Sequence, residues 1–445
     1  MSKLWQVEGQ TLDEAVQRFT VGEDPVLDRR LLPYEVTGTL AHAKGLVKLG
    51  LLSDGEWRAI RTELGRLLED ESFVILPEQE DIHTAVEQRL TERLGELGKS
   101  IHAGRSRNDQ VQTDLRLFMM DRLLELHAGA AAAAGAWSAF AGRHAKVLMP
   151  GYTHLQRAMP TTAGHWAASH VEALLDGCRS IRQAFDEADA SPLGSAAGYG
   201  APLPLDRAFT ARLMGFTRVQ LNTLRVQTSR PRIDAAVISA LALVAKDLGV
   251  LAGDLCLFAT AEFGFMKLDP AFTTGSSIMP QKRNPDVAEL LRARAAQFPG
   301  WVLQALSAGP AASGYHRDFQ LSKRPLFAAL DAAAAMVDMA ARLAGAVRVD
   351  AARCRAAVTQ DLLATQRALD LVKKGLPFRE AYRRVAAAAR QDGQRTAGRV
   401  DLPAYLGAPG NPGLRALASG LAAEARWNGR RGAALRGAWK RLLRG

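Results

Sequence analysis

The chain has 445 residues, 48% of them hydrophobic, with 57 basic side chains against 46 acidic ones and a formal net charge of +11. That is enough apolar chain for two or three domains with an ample core, and it excludes a disordered protein. Three cysteines, Cys178, Cys256 and Cys354, stand far apart without metal-ligand spacing, and read as buried thiols in a reducing cytoplasm.

The amino terminus, MSKLWQVEGQTLDEAVQRF, lacks an apolar stretch of signal-peptide length and carries acids that a transit peptide avoids. Strand-like alternation is scarce, and nearly every long segment has a helical period. In 109–126, Val111, Leu115, Phe118, Met119, Leu123 and Leu126 share one side. The most apolar window, 128–142, is chiefly Ala and Gly between His127 and Arg143, which predicts close helix packing rather than a bilayer span. Residues 161–185 and 324–343 predict two more helices. In 233–263, Val237, Leu241, Val244, Leu248, Leu251, Leu255 and Phe258 recur at alternating spacings of four and three. This heptad seam implies a helix on the order of 40 Å long, more than a small globule can bury, so a bundle follows. Pro150-Gly151, the run SPLGSAAGYGAPLP at 191–204, Gly309-Pro310 and GAPGNPG at 407–413 predict connections.

The expected fold is therefore all-α, with a helical domain over 1–104, a central long-helix bundle over 105–345 and a small helical domain over 346–445. The tail, 425–445, carries Arg426, Arg430, Arg431, Arg436, Lys440, Arg441 and Arg444 and no acid. No nucleic-acid module accompanies it, so no nucleic-acid partner is expected. A biased composition, or attraction of a polycarboxylate substrate, accounts for the charge.

Five segments carry chemistry. EDIHTAVEQRL, from Glu80, sets Asp81, His83 and Glu87 close together, as a helix cap and polar face would. GKSIHAGRSRNDQVQTDLRL, from Gly98, gathers Arg105, Ser106, Arg107, Asn108 and Asp109 just before the Val111 helix. Amides and donors converging on a helix amino terminus suit a carboxylate ligand, although an N-cap with solvated arginines has the same composition. MPGYTHLQRAMPTTAGHW, from Met149, supplies Tyr152, Thr153, His154 and Gln156, where the histidine is either a solvated loop residue or a proton carrier. FTTGSSIMPQKRNPDVAELLR, from Phe272, is a loop feeding a helix. Its Ser276, Ser277, Lys282, Arg283 and Asn284 form either an anion site or a solvated surface loop. In SGYHRDFQLSKRPLF, from Ser313, Lys323 lies eight residues beyond Tyr315, about two helical turns, so both can face one pocket.

GSSIMPQKRNP resembles the signature of the fumarase and aspartase superfamily, and its GSSxMPQKxNPD form is similar to that of the argininosuccinate lyases. GRSRND, GYTHLQ and the run DLLATQRALDLVKKGLPFREAYRRV extend the likeness over about residues 28–385. The resemblance implies reversible cleavage of L-argininosuccinate to fumarate and arginine, the last step of arginine biosynthesis. It implies Ser276 as base, His154 held by Glu289 as acid, and Lys282 with Asn284 steadying the carbanion. It places Asp81 beneath the site, Ser106, Arg107, Asn108, Thr153 and Gln156 against the substrate, and Tyr315, Gln320 and Lys323 on its arginine-like half. It further implies a cytoplasmic homotetramer whose sites draw on three subunits, with no metal, organic cofactor or membrane partner. The chain departs from the family at LWQVEGQT, where a WGGRF motif is usual, at Ala103, usually threonine, and at NTLRVQTSRPRID over 222–234, usually SLDAxSDRD-like. Two other readings stay open: a superfamily lyase for another succinyl-substituted amine, and a silent crystallin-like tetramer, which would be expected to lose Ser276 or His154.

Overall fold

The computed structural model describes residues 13–309, 312–389 and 395–444. The departure at 4–11 and Pro310 lie outside them. Five long helices dominate the described residues: Arg107–Arg143, Ala163–Ala188, Arg230–Phe258, Lys323–Ala346 and Leu414–Arg444. The first has 37 residues and spans about 55 Å. They pack on one another, with Asp286–Ala295 and Phe298–Ser307 laid against Arg230–Phe258. The architecture is all-α, with the strands among the described residues confined to two antiparallel pairs, the hairpin of Leu148–Thr153 with Gln156–Thr162 and the distant Met266–Leu268 with Val347–Val349.

Every residue of the heptad seam, from Val237 to Phe258, is buried. The seam's helix starts three residues before Ile233 and ends five before Phe263, which corrects the expected bounds. Pro231 fits its first turn, where no amide partner is needed. Beyond Phe258 the carbonyls of Ala261, Glu262 and Phe263 take hydrogen bonds from the Arg353 guanidinium, so the chain leaves the helix there. This helix, not 128–142, is the one described helix long and apolar enough to cross a bilayer, and neighbouring helices enclose half of its most apolar stretch.

Close approach depends on small side chains. Gly129 faces Val337 of the Lys323 helix, and Gly177 faces Val244 of the Arg230 helix. Around them Ala130, Ala133, Ala134 and Trp137 are buried, the tryptophan donating Nε1 to the Ala340 carbonyl at 2.9 Å. One core runs from Leu31 to Leu442, because the carboxy-terminal helix Leu414–Arg444 turns Trp427, Leu435 and Leu442 inward. Two small clusters, around Val358 and around Ala381, stand apart from it. Cys178 and Cys354 are buried as expected, but Cys256 is only half-buried.

Two other expectations need correction. Pro150-Gly151 is not a connection but part of strand Leu148–Thr153, at the point where its register shifts. A bulge tolerates a residue without an N–H, and a Cβ at Gly151 would press on the Met159 carbonyl at 3.0 Å. Tyr315 and Lys323 do not share a helix either. A 3-10 turn, Arg317–Ser322, intervenes, and the helix begins at Lys323.

The Gly164 position separates packing from propensity. A Cβ there would sit 2.5 Å from the Ala141 carbonyl oxygen and the Ala145 Cα, whereas one on Gly135 would meet nothing within 4 Å. Gly164→Ala should destabilise by about 1–3 kcal/mol and Gly135→Ala should stabilise by about 0.5–1 kcal/mol, measured by thermal unfolding.

Candidate active site

A cleft of about 160 Å³ lies where the first turns of the Arg107 and Arg230 helices meet the 315–323 segment and the short helix Asp24–Asp28. Six sequence-derived candidates line it: Asp81, Arg107, Asn108, Tyr315, Gln320 and Lys323. Asp81 caps its own helix by accepting from Thr84 N at 2.8 Å, and its other oxygen holds Arg107 Nη1 at 3.0 Å. Glu80 grips the same nitrogen at 3.3 Å from a backbone at φ +69°, a strained conformation for a residue with a Cβ. Ser106 spends its hydroxyl as the cap of the Arg107 helix and does not line the cleft.

Lys323 is 1% exposed, and its ammonium is held by Asp28 and, at 2.9 Å, by Asp24. Its charge is matched by two carboxylates before any ligand arrives. Burial works against that charge, but the two acids outweigh it and raise the ammonium's pKa. Val21, Glu80, His83 and Val111 also line the cleft, and Asp24, Asp28, Arg230 and Arg317, which were not singled out in the sequence, complete the lining. The signal for the acids was a lysine destined for burial, which needs counter-charges.

Beneath the cleft lies a buried network. His83 Nδ1 is 2.8 Å from Glu35, whose other oxygen accepts from Thr39 Oγ at 2.7 Å and Gln110 Nε2 at 3.3 Å. Arg105 Nη1 donates to Thr39 at 2.8 Å. Asp114 stands 3.7 Å from the same imidazole nitrogen, and one donor atom from each of Glu35, His83 and Asp114 lies within 4.8 Å of the others. Burial and then the Glu35 charge push the Asp114 carboxyl well above its usual range, favouring its neutral form. For Glu35, burial alone would raise the pKa, but the His83 charge and hydrogen bond, with Arg105 and Thr39, bring it down to about 2. His83 is raised by Glu35 in spite of burial. Ala103, where a threonine was usual, contributes its carbonyl, which accepts from His42 at 2.9 Å.

A second group sits on the 148–162 hairpin. Thr153 pairs with Gln156, so His154 and Leu155 are the two turn residues, at φ +54° and +57°. A two-residue turn of this hand demands left-handed backbone at both positions, usually supplied by Asn or Gly. Histidine and leucine accept the strain here, and the turn holds an exposed His154 at its tip.

The third group is the serine loop. Thr274 and Asn284 exchange backbone hydrogen bonds at 3.2 and 2.9 Å and close its neck, and Asp286 accepts from the Thr274 hydroxyl. At its tip the Ser276 hydroxyl oxygen accepts from Met279 N at 3.1 Å and, more weakly, from Ile278 N at 3.4 Å. The Lys282 and Glu289 side chains are exposed. Among the described residues, no hydrogen bond or ion pair within this chain joins His154 to Glu289, and neither the hairpin group nor the serine loop lines the cleft.

The sequence profile of a family described as Lyase matches residues 9–300. A curated argininosuccinate lyase of Sorangium cellulosum is 46% identical over 429 residues, covering 95% of this chain and 99% of that protein. The chain belongs to the argininosuccinate lyase family. A second member, from Thermotoga neapolitana, is 40% identical over 388 residues, covering 86% of this chain and 97% of its own. Among solved structures, EDDS lyase in complex with formate superposes with a TM-score of 0.79 at 23% identity, covering 97% of this chain and 95% of that one, which establishes the shared fold.

The Glu35–His83 pair sets a pH window. Glu35 is depressed, so its stabilisation is present above 4.5 and is lost as pH falls toward about 2. His83 is raised, so its share is present below 6.5 and is lost as pH rises through the raised value. His83→Leu should cost about 3–5 kcal/mol near pH 6, where both partners are charged. In thermal melts the gap from wild type should narrow at both ends of the window, and a gap independent of pH would contradict the ion pair.

Proposed function

We propose that the protein is an argininosuccinate lyase in activity as well as family, eliminating fumarate reversibly from L-argininosuccinate to release L-arginine in the cytoplasm. Identity to argininosuccinate lyases over almost the whole chain carries this reading. The cleft supports it with a mixed lining. Asp24, Asp28, Glu80 and Asp81 stand against Arg107, Arg230, Arg317 and Lys323, as a substrate bearing carboxylates, an ammonium and a guanidinium requires.

In this reading Ser276 removes the proton beside the succinyl carboxylate, and Lys282 with Asn284 holds the resulting dianion. His154, steadied by Glu289, serves the leaving nitrogen as acid or through a water. Thr153 and Gln156 flank the histidine, and Tyr315, Gln320 and Lys323 bind the arginine half. The charge work falls to side chains and backbone amides, and the reaction calls for neither a metal nor an organic cofactor.

The proposed assembly is a homotetramer whose sites unite the cleft of one subunit, the hairpin of a second and the serine loop of a third. Two observations favour it. The three groups do not share a pocket within one chain, and Leu243 and Val250 on the Arg230 helix, with Leu303 and Leu306 beyond it, are exposed. Apolar faces on long helices want covering.

Ser276→Ala should lower fumarate production from argininosuccinate by roughly 10²–10⁴-fold, read from fumarate's ultraviolet absorbance. Inactive His154→Asn and Ser276→Ala proteins, unfolded and refolded together, should regain activity that neither shows alone. No turnover by the wild type would overturn the substrate, and failure of the mixture to recover would overturn the shared site.

A further inference from the structure

A separate cavity of about 590 Å³ opens beyond the cleft, where the end of the Ala163–Ala188 helix meets Thr223–Thr228 and the start of the Arg230 helix. Four arginines, Arg116, Arg218, Arg225 and Arg232, line it against one acid, Glu187. Two of the four have structural work. Arg116 is 2% exposed and donates to the carbonyls of Glu187, Ala188 and Ala190 and to the Gln220 amide oxygen. Arg218 donates to the carbonyls of Asp186 and Asp189. These bonds satisfy the carboxy-terminal end of a helix, where cations are favoured.

Arg225 and Arg232 have no such account. The Arg225 guanidinium makes no hydrogen bond or ion pair among the described residues. Arg232 reaches only Glu187, at 3.9 Å, with the two side chains 61% and 48% exposed. Such a pair contributes little. A concave wall therefore holds Arg225 and the weakly paired Arg232 beside two more arginines whose hydrogen bonds go to neutral oxygens. Like charges brought together at a concave surface raise the local potential and attract anions.

We propose that this cavity binds a small molecule carrying at least two oxyanion groups, carboxylate or phosphate, through Arg225 and Arg232. Planar guanidinium forks match either group bidentately. The site adjoins the catalytic cleft: Arg230 lines the cleft and Arg232 the cavity, on the same first turn of one helix. Gln220 ties the two walls by taking Arg116 Nη2 at 2.9 Å and donating to Ser229 Oγ at 2.8 Å. An occupant would thus act on the helix start that carries Arg230 without entering the cleft.

The test is calorimetric titration of the full-length protein at constant ionic strength with inorganic pyrophosphate and, separately, citrate, with fumarate present throughout to fill the catalytic cleft. Saturable binding of at least one probe is expected, and R225A/R232A should weaken it by about tenfold or more. The control R415A/R426A removes two exposed charges from the carboxy-terminal helix and should leave it intact. Absence of saturable binding, an unchanged affinity in R225A/R232A, or an equal loss in the control would each overturn the proposal. Because binding is read without turnover, its failure is distinct from failure of the lyase assignment.

Discussion

The structure rests on a mismatch between how much apolar surface its long helices carry and how much one chain can cover. The Arg230 helix shows this most plainly. Its seam from Val237 to Phe258 is wholly buried, yet Leu243 and Val250 on another face stay exposed. Burying an aliphatic side chain stabilises by about 1.5–3 kcal/mol, so leaving several on one surface forgoes more than surface ion pairs return. A partner surface is the economical resolution, and the proposed tetramer supplies it. The same association would bring together three chemical groups that a single chain keeps apart, so stability and catalysis would share one requirement.

Under the cleft, a different constraint applies. Glu35, His83, Asp114 and Arg105 are all buried, and buried charge is tolerated only when matched. The Glu35–His83 pair, the Arg105–Thr39 link and a neutral Asp114 meet that condition jointly. Asp109 adds a second anchor, accepting from Gly194 and Ala196 amides at 2.9 and 2.8 Å while it boxes Ser106 at the head of the Arg107 helix. Burial raises its pKa to about 6 against those bonds. The placing of Arg107 and Asn108 thus depends on five buried groups, of which His83 alone also lines the cleft.

What was legible in the sequence was whatever a period or a motif encodes. The heptad spacing located the longest seam residue by residue, and the GSSIMPQKRNP motif pointed to the family. Less visible were features set by tertiary contact. THLQ contains neither Asn nor Gly, so no local rule marked His154 and Leu155 as a left-handed turn. Eight-residue spacing suggested a helix for Tyr315 and Lys323, but the intervening turn is 3-10, and their common cleft arises from packing instead. Asp24 and Asp28 escaped notice because the reason for them, a lysine buried 295 positions along the chain, appears only on folding.

The serine loop shows which physical effect must win for a hydroxyl to act as base. Lowering its pKa by roughly six units takes about 8 kcal/mol at 1.36 kcal/mol per unit. Hydrogen bonds to a charged oxygen contribute about 1.5–3 kcal/mol each. The two amides on Ser276 would therefore give about 3–6 kcal/mol once the oxygen is anionic, toward the lower end because the Ile278 contact is long. Lys282 is on the same loop, but an exposed ammonium is screened by water and adds about 1 kcal/mol at 4 Å. The shortfall of several kcal/mol is of the size gained when water is excluded and the same charges act in a lower dielectric. Among the described residues the loop is not covered against that water, since Ile278, Pro280 and Lys282 all face solvent. The proposed reaction therefore asks more of the surface that closes over Ser276 than of any single residue beside it.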